Sequence, residues 1–379
     1  MKLNRDFFLK GELDMVFTIN STPKKDGFRM PGEFEEHKGT WMLWPTRTDT
    51  WRSGAKPAQR VYIEVAKAIS QFEPVTMCVK ADQYENARAL LPPNIRIVEI
   101  SSNDAWMRDI GPTFVKNDKG EVRGVDWGFN AWGGLDEGLY FPWDLDLLVK
   151  QKVMDIEQIS RYDATDIIIE GGAITVDGEG TLITTEQCVL NPNRNRNLSK
   201  KEMEDKLIEY LNVEKIIWLK DGLVGDETDG HVDEVVFFVR PGEVAMGWTD
   251  DQNHPQYEVL QDAYKRLSEA TDAKGRKLKI NKIQMPKQIS LSEAESMEID
   301  YSRFSYNRSP NLTFISTYIN CYLCNGGVVL PTFNDPQDEH AIAAFQKMFP
   351  DRRIVTVNTR EISVGGGNIH CITQQQPLG

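Results

Sequence analysis

The stretch IIIEGGAITVDGEGTLITTE (residues 167–186) contains two apolar runs separated by the turn sequence DGEG. Runs rich in isoleucine, valine and threonine that are bounded by glycine and aspartate are typical of a β-hairpin. An amphipathic segment follows at 199–211, where Ser199 and Glu202 are spaced as a capping box, and then the strand-like run KIIWLK (215–220). The order hairpin, helix, strand predicts one compact α/β unit.

The same order recurs along the chain. Five segments are predicted as amphipathic helices: 57–72, 143–154, 199–211, 254–267 and 337–349. Strand-like runs follow most of them: 75–80, 215–220, 279–285 and 353–359. Five stretches are interpreted as hairpins: 104–127, 167–186, 229–248, 319–333 and 365–377. One unit repeated in tandem predicts a closed array of similar blades rather than separate domains.

Closure of such an array would bring equivalent strand ends to one axis, although roughly 60 residues separate each from the next in sequence. Residues capable of chemistry stand at these ends: Asp109, Glu170, His231, Asp233 and Cys371. We therefore expect them to form a single functional site.

Cys371 is the candidate nucleophile of this site. A cysteine near a chain terminus is most often an unreactive buried thiol, and the glycines Gly365–Gly367 before it could simply form a tight turn. They also permit the close approach of a ligand, which a core strand would not require. His370 is adjacent, but neighbours on a strand point to opposite faces, so we do not expect it to act as the base. His231 fits that role better because it shares a face with Asp233.

The other candidates have plain alternatives. His231 could be an ordinary loop histidine beside a carboxylate. Glu170 ends the apolar run III and needs a hydrogen-bonding partner, which an imidazole would supply. Asp109 could form a surface ion pair with Arg108. Local sequence alone leaves these alternatives open.

Composition argues against several classes of protein. Of the 379 residues, 40% are hydrophobic and 27% charged, and no apolar run approaches the roughly 20 residues of a membrane span. The net charge of -13 argues against a nucleic-acid surface, so we expect neither nucleic-acid nor membrane partners. Charged residues interrupt residues 1–21 before any signal-peptide core, and we interpret this stretch as the N-terminal extension of a cytoplasmic protein.

Known motifs are equally restrictive. The five cysteines are too few, and odd in number, for a disulfide framework, and Cys321 and Cys324 are interpreted as packing residues of a strand. The sequence has no G-x-S-x-G, no phosphate-binding G-x-x-x-x-G-K and no complete G-x-G-x-x-G. Serine-hydrolase and nucleotide-binding functions therefore have no support.

Three acids, one histidine and one cysteine at a single point favour a cationic substrate. A guanidinium ion is planar, and two carboxylates can bind it from its two sides by charge-assisted hydrogen bonds. Its central carbon then stays open to attack by a thiolate, which the positive charges nearby would favour.

The chain resembles the agmatine deiminases of the guanidine-modifying superfamily over nearly all of residues 22–376. The motifs that carry this resemblance are TPKKDGFRMPGEFEEHKGTWMLWP, NDAWMRDIGPTF, VDWGFNAWGG, EGGAITVDGEGT, ETDGHVDEV and GGGNIHCITQQQP. The resemblance implies a five-bladed, pentein-type α/β propeller of ββαβ units, with residues 22–379 forming one domain. It also implies a cytoplasmic homo-oligomer that needs neither a metal nor an organic cofactor.

The resemblance also implies a role for each site residue. Cys371 would attack the guanidinium carbon, Asp109 and Asp233 would hold its nitrogens, and Glu170 would orient His231. His231 would protonate the departing ammonia and then activate a water, so that agmatine and water give N-carbamoylputrescine and ammonia.

The substrate is the less secure part of this expectation. Trp106 and Trp132 could line a methylene channel, while Glu227, with Asp226, could receive the distal amine. The segment 295–314 departs from the family pattern, which leaves arginine or another small guanidino compound open, as well as a weakly active polyamine-binding relative. From other classes, a metal hydrolase using His231, Asp233, Glu170 and Asp109, or a non-catalytic cation-binding protein, stay possible.

Overall fold

The computed structural model describes residues 17–379, so most of the predicted extension, residues 1–16, lies outside the described residues. Thr18–Ile19 pair in parallel with Arg161 and Tyr162. The last residues assigned to the extension thus add a strand to a sheet of the main body. A single domain over 22–379 stays a prediction.

Four ββαβ units follow one another along the chain, each a hairpin, a helix and a third strand parallel to the second strand of the hairpin. Unit 1 comprises Thr113–Lys116, Val122–Gly128, the helix Val149–Glu157 and Arg161–Ile168. Unit 2 comprises Thr175–Val176, Thr181–Thr185, the helix Lys200–Leu211 and Lys215–Leu219. Unit 3 comprises Val236–Arg240, Glu243–Trp248, the helix Tyr257–Glu269 and Lys279–Gln284. Unit 4 comprises Tyr322–Cys324, Gly327–Thr332, the helix Gln337–Met348 and Arg353–Asn358.

Unit 5 joins the two ends of the chain. Its first strand, Thr373–Pro377, pairs antiparallel with His37–Leu43. The helix Lys56–Ile69 and the strands Val75–Val79 and Arg96–Glu99 complete it. The prediction of a hairpin within 365–377 is therefore wrong, because the partner strand lies more than 300 residues earlier in the sequence. This pairing brings the ends together as a closed array requires.

Local sequence explains most of the helix boundaries. The side-chain oxygen of Ser199 accepts a hydrogen bond from the Glu202 amide, and the Glu202 carboxylate accepts one from the Ser199 amide. The predicted capping box is therefore confirmed. The predicted helix 143–154 instead begins as the 3-10 turn Asp146–Leu148, and the strand after it was missed. The buried Asp146 carboxylate accepts from the Asn103 amide at 2.6 Å and the Tyr140 hydroxyl at 2.6 Å, so it anchors a turn there.

Each of the five helices buries one apolar face, and the helices of units 3, 4 and 5 pack against the third strand of the preceding unit. The residues buried at helical spacing include Val149 and Val153, Leu207 and Leu211, Leu260 and Leu267, Ala341 and Phe345, and Tyr62 and Ile69. All five cysteines are free, and Cys321 and Cys324 are buried as predicted. Among the residues from 17 onward, no helix has the length and apolarity to cross a bilayer.

The remaining elements connect the units. The short helices are Pro23–Asp26, Tyr84–Leu90, Met107–Ile110, Gly134–Glu137, Glu186–Val189, Pro192–Asn195, Glu293–Ser296 and Arg360–Ser363. Ile289–Ser290 and Thr313–Phe314 pair antiparallel and frame the divergent segment 295–314. Main-chain bonds from Phe141 to Phe304 and from Tyr306 to Leu139 tie that segment to the connection between the first hairpin and its helix.

Candidate active site

Each unit contributes polar residues just before its first hairpin strand. Asp109 lies in the short helix before unit 1, and Glu170 precedes a 3-10 turn before unit 2. His231 and Asp233 lie at the corresponding turn of unit 3. Cys371 comes two residues before the first strand of unit 5. All five predicted residues are buried, at 1 to 7% exposure.

Gly172 shows how closely three of these groups converge. A β-carbon at Gly172 would lie 2.4 Å from Nδ1 of His231, 3.0 Å from Oδ2 of Asp233 and 3.1 Å from Oδ1 of Asp109. The predicted meeting of these residues is therefore confirmed. Because a β-carbon would displace at least one of these groups, only glycine fits at this position.

Asp109 is fixed by two neutral donors. Its Oδ1 accepts from the Gly172 amide at 2.9 Å, and its Oδ2 accepts from Nε1 of Trp132 at 3.0 Å. It forms no surface ion pair with Arg108, which bonds instead to the His370 carbonyl and the Gln375 side chain. Burial and the charges of Asp233 and Glu170 raise the pKa of Asp109 to about 6, although His231 opposes the rise.

Glu170 and His231 face each other at 3.9 Å, too far for a hydrogen bond but near enough for strong attraction in a buried site. Glu170 is held by Nε of Arg194 at 2.8 Å. Arg194 also donates hydrogen bonds to the carbonyls of Trp132 and Thr228 and to the carboxylate of Asp229. These bonds fix the position of its guanidinium group. Sequence reasoning missed Arg194, because its loop carries no strand or helix signal.

The His231 imidazole lies between the carboxylates of Asp109, at 3.9 Å from Nδ1, and of Glu170. Although burial lowers the pKa of His231, Asp109 and Cys188 raise it to a level well above its usual value. The Asp226 carboxylate accepts from the main-chain amides of His231 and Gly230, which fixes the turn. Asp226 is thus a structural residue of this loop.

Cys371 sits in a turn rather than on a strand, so alternation along a strand is not what separates it from His370. Its Sγ lies 3.8 Å from Oδ2 of Asp233 and 3.9 Å from Oε1 of Glu234. Burial, Asp233, Glu234 and Asp109 together raise the pKa of Cys371 well above its usual value. The buried thiol is therefore harder to ionise than an ordinary cysteine.

Asn320 is the contribution of unit 4, and sequence reasoning missed it. Its Nδ2 lies 3.2 Å from Sγ of Cys371, and its Oδ1 accepts from the His370 amide at 2.9 Å. It precedes the fourth hairpin as the other site residues precede theirs. The repeat itself could have identified it, but an asparagine carries no signal of acid, base or nucleophile.

Three buried polar atoms at the site lack a hydrogen-bond partner within residues 17–379: Oδ1 of Asp233, Nε2 of His231 and Oε2 of Glu234. A buried carboxylate oxygen without a hydrogen-bond donor costs folding free energy. Asp233 can therefore accept a hydrogen bond from a bound ligand at this oxygen. Two sets of possible metal ligands lie within 4.8 Å, Glu170 with Cys188 and His231, and Asp233 with Glu234 and Cys371. Of the four ligands of the metal hypothesis, Glu170 and His231 belong to the first set, Asp233 to the second, and Asp109 to neither of these two sets of described residues.

A narrow pocket leads from Cys371 towards the surface. The indole rings of Trp106 and Trp132 meet edge to face at 6.4 Å in its wall, as expected for a methylene channel. Tyr306 and Arg308 of the divergent segment close the pocket from above. That segment therefore does contribute to the site.

Glu227 does not stand free in this pocket. Its two carboxylate oxygens accept from Nη1 and Nη2 of Arg308, each at 2.7 Å, and both side chains are buried. The glycines before Cys371 allow other side chains of the protein to approach the main chain closely. A β-carbon at Gly366 would lie 2.4 Å from Glu227, and one at Gly367 would lie 2.6 Å from Trp106. Glu227 thus neutralises Arg308.

Comparisons with known proteins agree with this geometry. Residues 29–377 match the family described as Porphyromonas-type peptidyl-arginine deiminase. A protein of Pseudomonas aeruginosa named agmatine deiminase is 56% identical, over 94% of this chain and 97% of its own length. The crystal structure titled agmatine deiminase of Enterococcus faecalis superposes with a TM-score of 0.93 at 52% identity and covers 96% of this chain and 99% of its own.

A more distant structure has the same fold. A cysteine-to-serine variant of the C. jejuni agmatine deiminase with substrate bound superposes with a TM-score of 0.79 at 26% identity, covering 93% of this chain and 97% of its own. The fold is thus the mixed α/β, pentein-type fold expected from the sequence.

Proposed function

Since this chain belongs to the family of Porphyromonas-type peptidyl-arginine deiminases, we propose that it hydrolyses agmatine to N-carbamoylputrescine and ammonia. The observation that carries the proposal is Oδ1 of Asp233, a buried atom without a hydrogen-bond partner within residues 17–379. The other oxygen of Asp233 lies 3.8 Å from the sulfur of Cys371, which lines an aromatic pocket together with Asp109. A guanidinium ion supplies the donor that Oδ1 of Asp233 lacks, and it presents its central carbon to the sulfur.

The first half of the reaction forms a covalent intermediate. The charge of the bound guanidinium opposes the effect of the surrounding acids, so the Cys371 thiol releases its proton to solvent when the substrate is present. The thiolate adds to the guanidinium carbon and forms a C–S bond. His231, already protonated, gives its proton to the departing nitrogen as the C–N bond breaks and ammonia leaves.

The second half releases the product. His231, now neutral, removes a proton from a water molecule, whose oxygen adds to the same carbon. The C–S bond breaks, the sulfur takes the remaining proton of the added oxygen to restore the Cys371 thiol, and the carbon leaves as a ureido group. Glu170, held by Arg194, acts on His231 through its charge and stabilises the imidazolium of each cycle.

The charges of the pocket favour agmatine over arginine. Among the described residues that line the pocket, Arg308 is the one cation, and its charge is neutralised by Glu227. The α-carboxylate of arginine would therefore find no free cation in that described wall. The amine of agmatine would meet hydroxyl groups such as that of Thr50 and the carboxylate of Asp49, which pairs with Arg47. We propose that Trp106 and Trp132 line the methylene chain between these two ends.

The test is to incubate the purified chain with agmatine, arginine and a peptidyl-arginine, with and without a chelator, and to quantify ureido product and ammonia. We expect agmatine to give the highest kcat/KM and chelation to change nothing. Binding of agmatine without product would favour a cation-binding protein, and chelator-sensitive turnover would favour the metal hydrolase. Product from none of the three defeats the proposal.

The pKa of Asp109 sets an acid limit on activity. Because this pKa is raised to about 6, Asp109 loses its charge as the pH falls through that value, and the affinity for a guanidinium cation falls with it. We expect kcat/KM for agmatine to decline below about pH 6 in a pH-rate profile. A flat profile from about pH 7 to about pH 5 would contradict this role for Asp109.

We also propose that the protein is cytoplasmic and assembles with further copies of itself. The five free thiols suit a reducing compartment. Phe141, Met297, Tyr301 and Phe304 are exposed around the segment that closes the pocket, which supports self-association there. Sedimentation equilibrium of the purified chain tests the assembly, and a monomer at all concentrations would contradict it.

A further inference from the structure

A chain of hydrogen-bonded groups that do not line the substrate pocket leads away from Cys371. Oδ2 of Asp233, which lies 3.8 Å from the sulfur, accepts from Nδ1 of His370 at 2.7 Å. The other imidazole nitrogen, Nε2, lies 2.7 Å from Oε2 of Glu33. The deimination steps above use neither His370 nor Glu33.

Both ring nitrogens of His370 are at hydrogen-bond distance from a carboxylate oxygen. A neutral imidazole carries one N–H and could satisfy only one of these oxygens, whereas an imidazolium donates to both. Burial and Arg108 lower the pKa of His370, but Glu33 and Asp233 raise it above its usual value. Although burial raises it, the pKa of Glu33 is lowered to about 2, with His370 as the main opposing cause.

This bridge has a consequence for the nucleophile. Asp233 has to be charged to bind a guanidinium ion, yet its charge raises the pKa of the Cys371 thiol. The imidazolium of His370 sits on Oδ2, the oxygen of Asp233 that approaches the sulfur within hydrogen-bonding range. The other oxygen, Oδ1, has no partner in the part of the chain from residue 17 onward.

We propose that His370 is a positioning residue that, as a cation held between Glu33 and Asp233, neutralises the carboxylate oxygen facing Cys371 and leaves the second oxygen to the guanidinium. This inference rests on the proposed deiminase function. Asp233 can then bind the substrate without suppressing formation of the thiolate.

The groups that face His370 define how its charge responds to pH. They are the carboxylates of Glu33 and Asp233 and the guanidinium of Arg108, whose Nε donates to the His370 carbonyl at 3.3 Å. These groups border a second, small pocket that does not share lining residues with the substrate pocket. Replacing Glu33 therefore lowers the pH at which His370 becomes neutral, because one of two stabilising charges is lost.

Two variants separate charge from geometry. In His370→Asn the side-chain amide can still donate to Asp233 but carries no charge, and we expect kcat for agmatine to fall about 10- to 100-fold with a smaller change in KM. Glu33→Gln keeps a polar partner for Nε2. We expect kcat close to the wild-type value near about pH 6 and an alkaline decline that begins at least about one pH unit lower than in the wild type.

Glu35→Gln is the matched control, since Glu35 lies on the same loop but pairs with Arg29 instead. We expect it to retain the wild-type pH profile. The double variant of His370 and Glu33 should show the profile of His370→Asn alone. A Glu33→Gln variant with the wild-type profile, or a loss of kcat in it that is equal at every pH, would overturn the proposal.

An NMR titration of the histidine rings supplies a readout that does not depend on turnover. We expect the His370 ring to stay protonated to a higher pH in the wild type than in Glu33→Gln. A wild-type protein that is inactive would contradict the deiminase function but not the charge bridge. A His370 ring that titrates at the same pH in the wild type and in Glu33→Gln would overturn the charge bridge.

Discussion

Cys371→Ala is expected to abolish formation of ureido product, with kcat for agmatine reduced at least about ten-thousand-fold. The substitution removes the only atom proposed to bond to the guanidinium carbon, whereas the carboxylates of Asp109 and Asp233 stay in place. Agmatine should therefore still bind, with an affinity within about tenfold of the wild type, measurable by calorimetry.

Cys78→Ala is the control for this experiment. Cys78 is a fully buried thiol in the strand Val75–Val79, and burial raises its pKa beyond any useful range for a nucleophile. We expect this variant to lose some stability and to keep its kcat. Turnover that survives in Cys371→Ala, or that disappears in Cys78→Ala at a temperature where the variant is folded, would contradict the assignment of the nucleophile.

Gly172→Ala is expected to lower kcat/KM about 100-fold or more, although no polar group is removed. The added methyl group would lie 2.4 Å from the His231 ring and about as close as a hydrogen bond to the carboxylates of Asp109 and Asp233. At least one of the three groups has to move, and displacements of about 1 Å are costly in a site that depends on orientation. Steady-state kinetics with agmatine measure the effect.

Gly326→Ala provides the comparison. Gly326 is exposed in the turn of the fourth hairpin at φ +73°, and a β-carbon there would touch nothing within 4 Å. Its cost is one of backbone strain, about 1 kcal/mol in the free energy of unfolding, and kcat/KM should not change. If the two substitutions changed kcat/KM equally, the effect of Gly172→Ala could not be due to its contacts with the three side chains.

The repeat made the fold predictable. Alternating apolar runs, glycine turns and the capping box at Ser199 are local signals, and they located the hairpins and helices of units 1 to 4. Unit 5 was different, because its two leading strands come from opposite ends of the chain. A pairing of this separation leaves no pattern within a window of sequence, so the stretch before Cys371 was mistaken for a hairpin.

The site was predictable to the extent that its residues carry reactive groups at equivalent positions of the repeat. Residues that act through others were not: Asn320 beside the sulfur, Arg194 behind Glu170 and Glu33 behind His370. Their roles depend on contacts across units. For Glu227 the sequence suggested a role that the contacts do not support. Its charge suggested a ligand for the substrate amine, but both of its carboxylate oxygens accept hydrogen bonds from the buried Arg308.

The central claim is that Cys371 becomes covalently bonded to the guanidinium carbon of the substrate. The most direct measurement is to mix the enzyme with agmatine, quench with acid within a turnover, and digest the protein for mass spectrometry. The account predicts an alkylamidino group on the peptide that contains Cys371, absent from the peptides of the other four cysteines and from Cys371→Ala. Turnover of agmatine with an unmodified Cys371 at every quench time would contradict it.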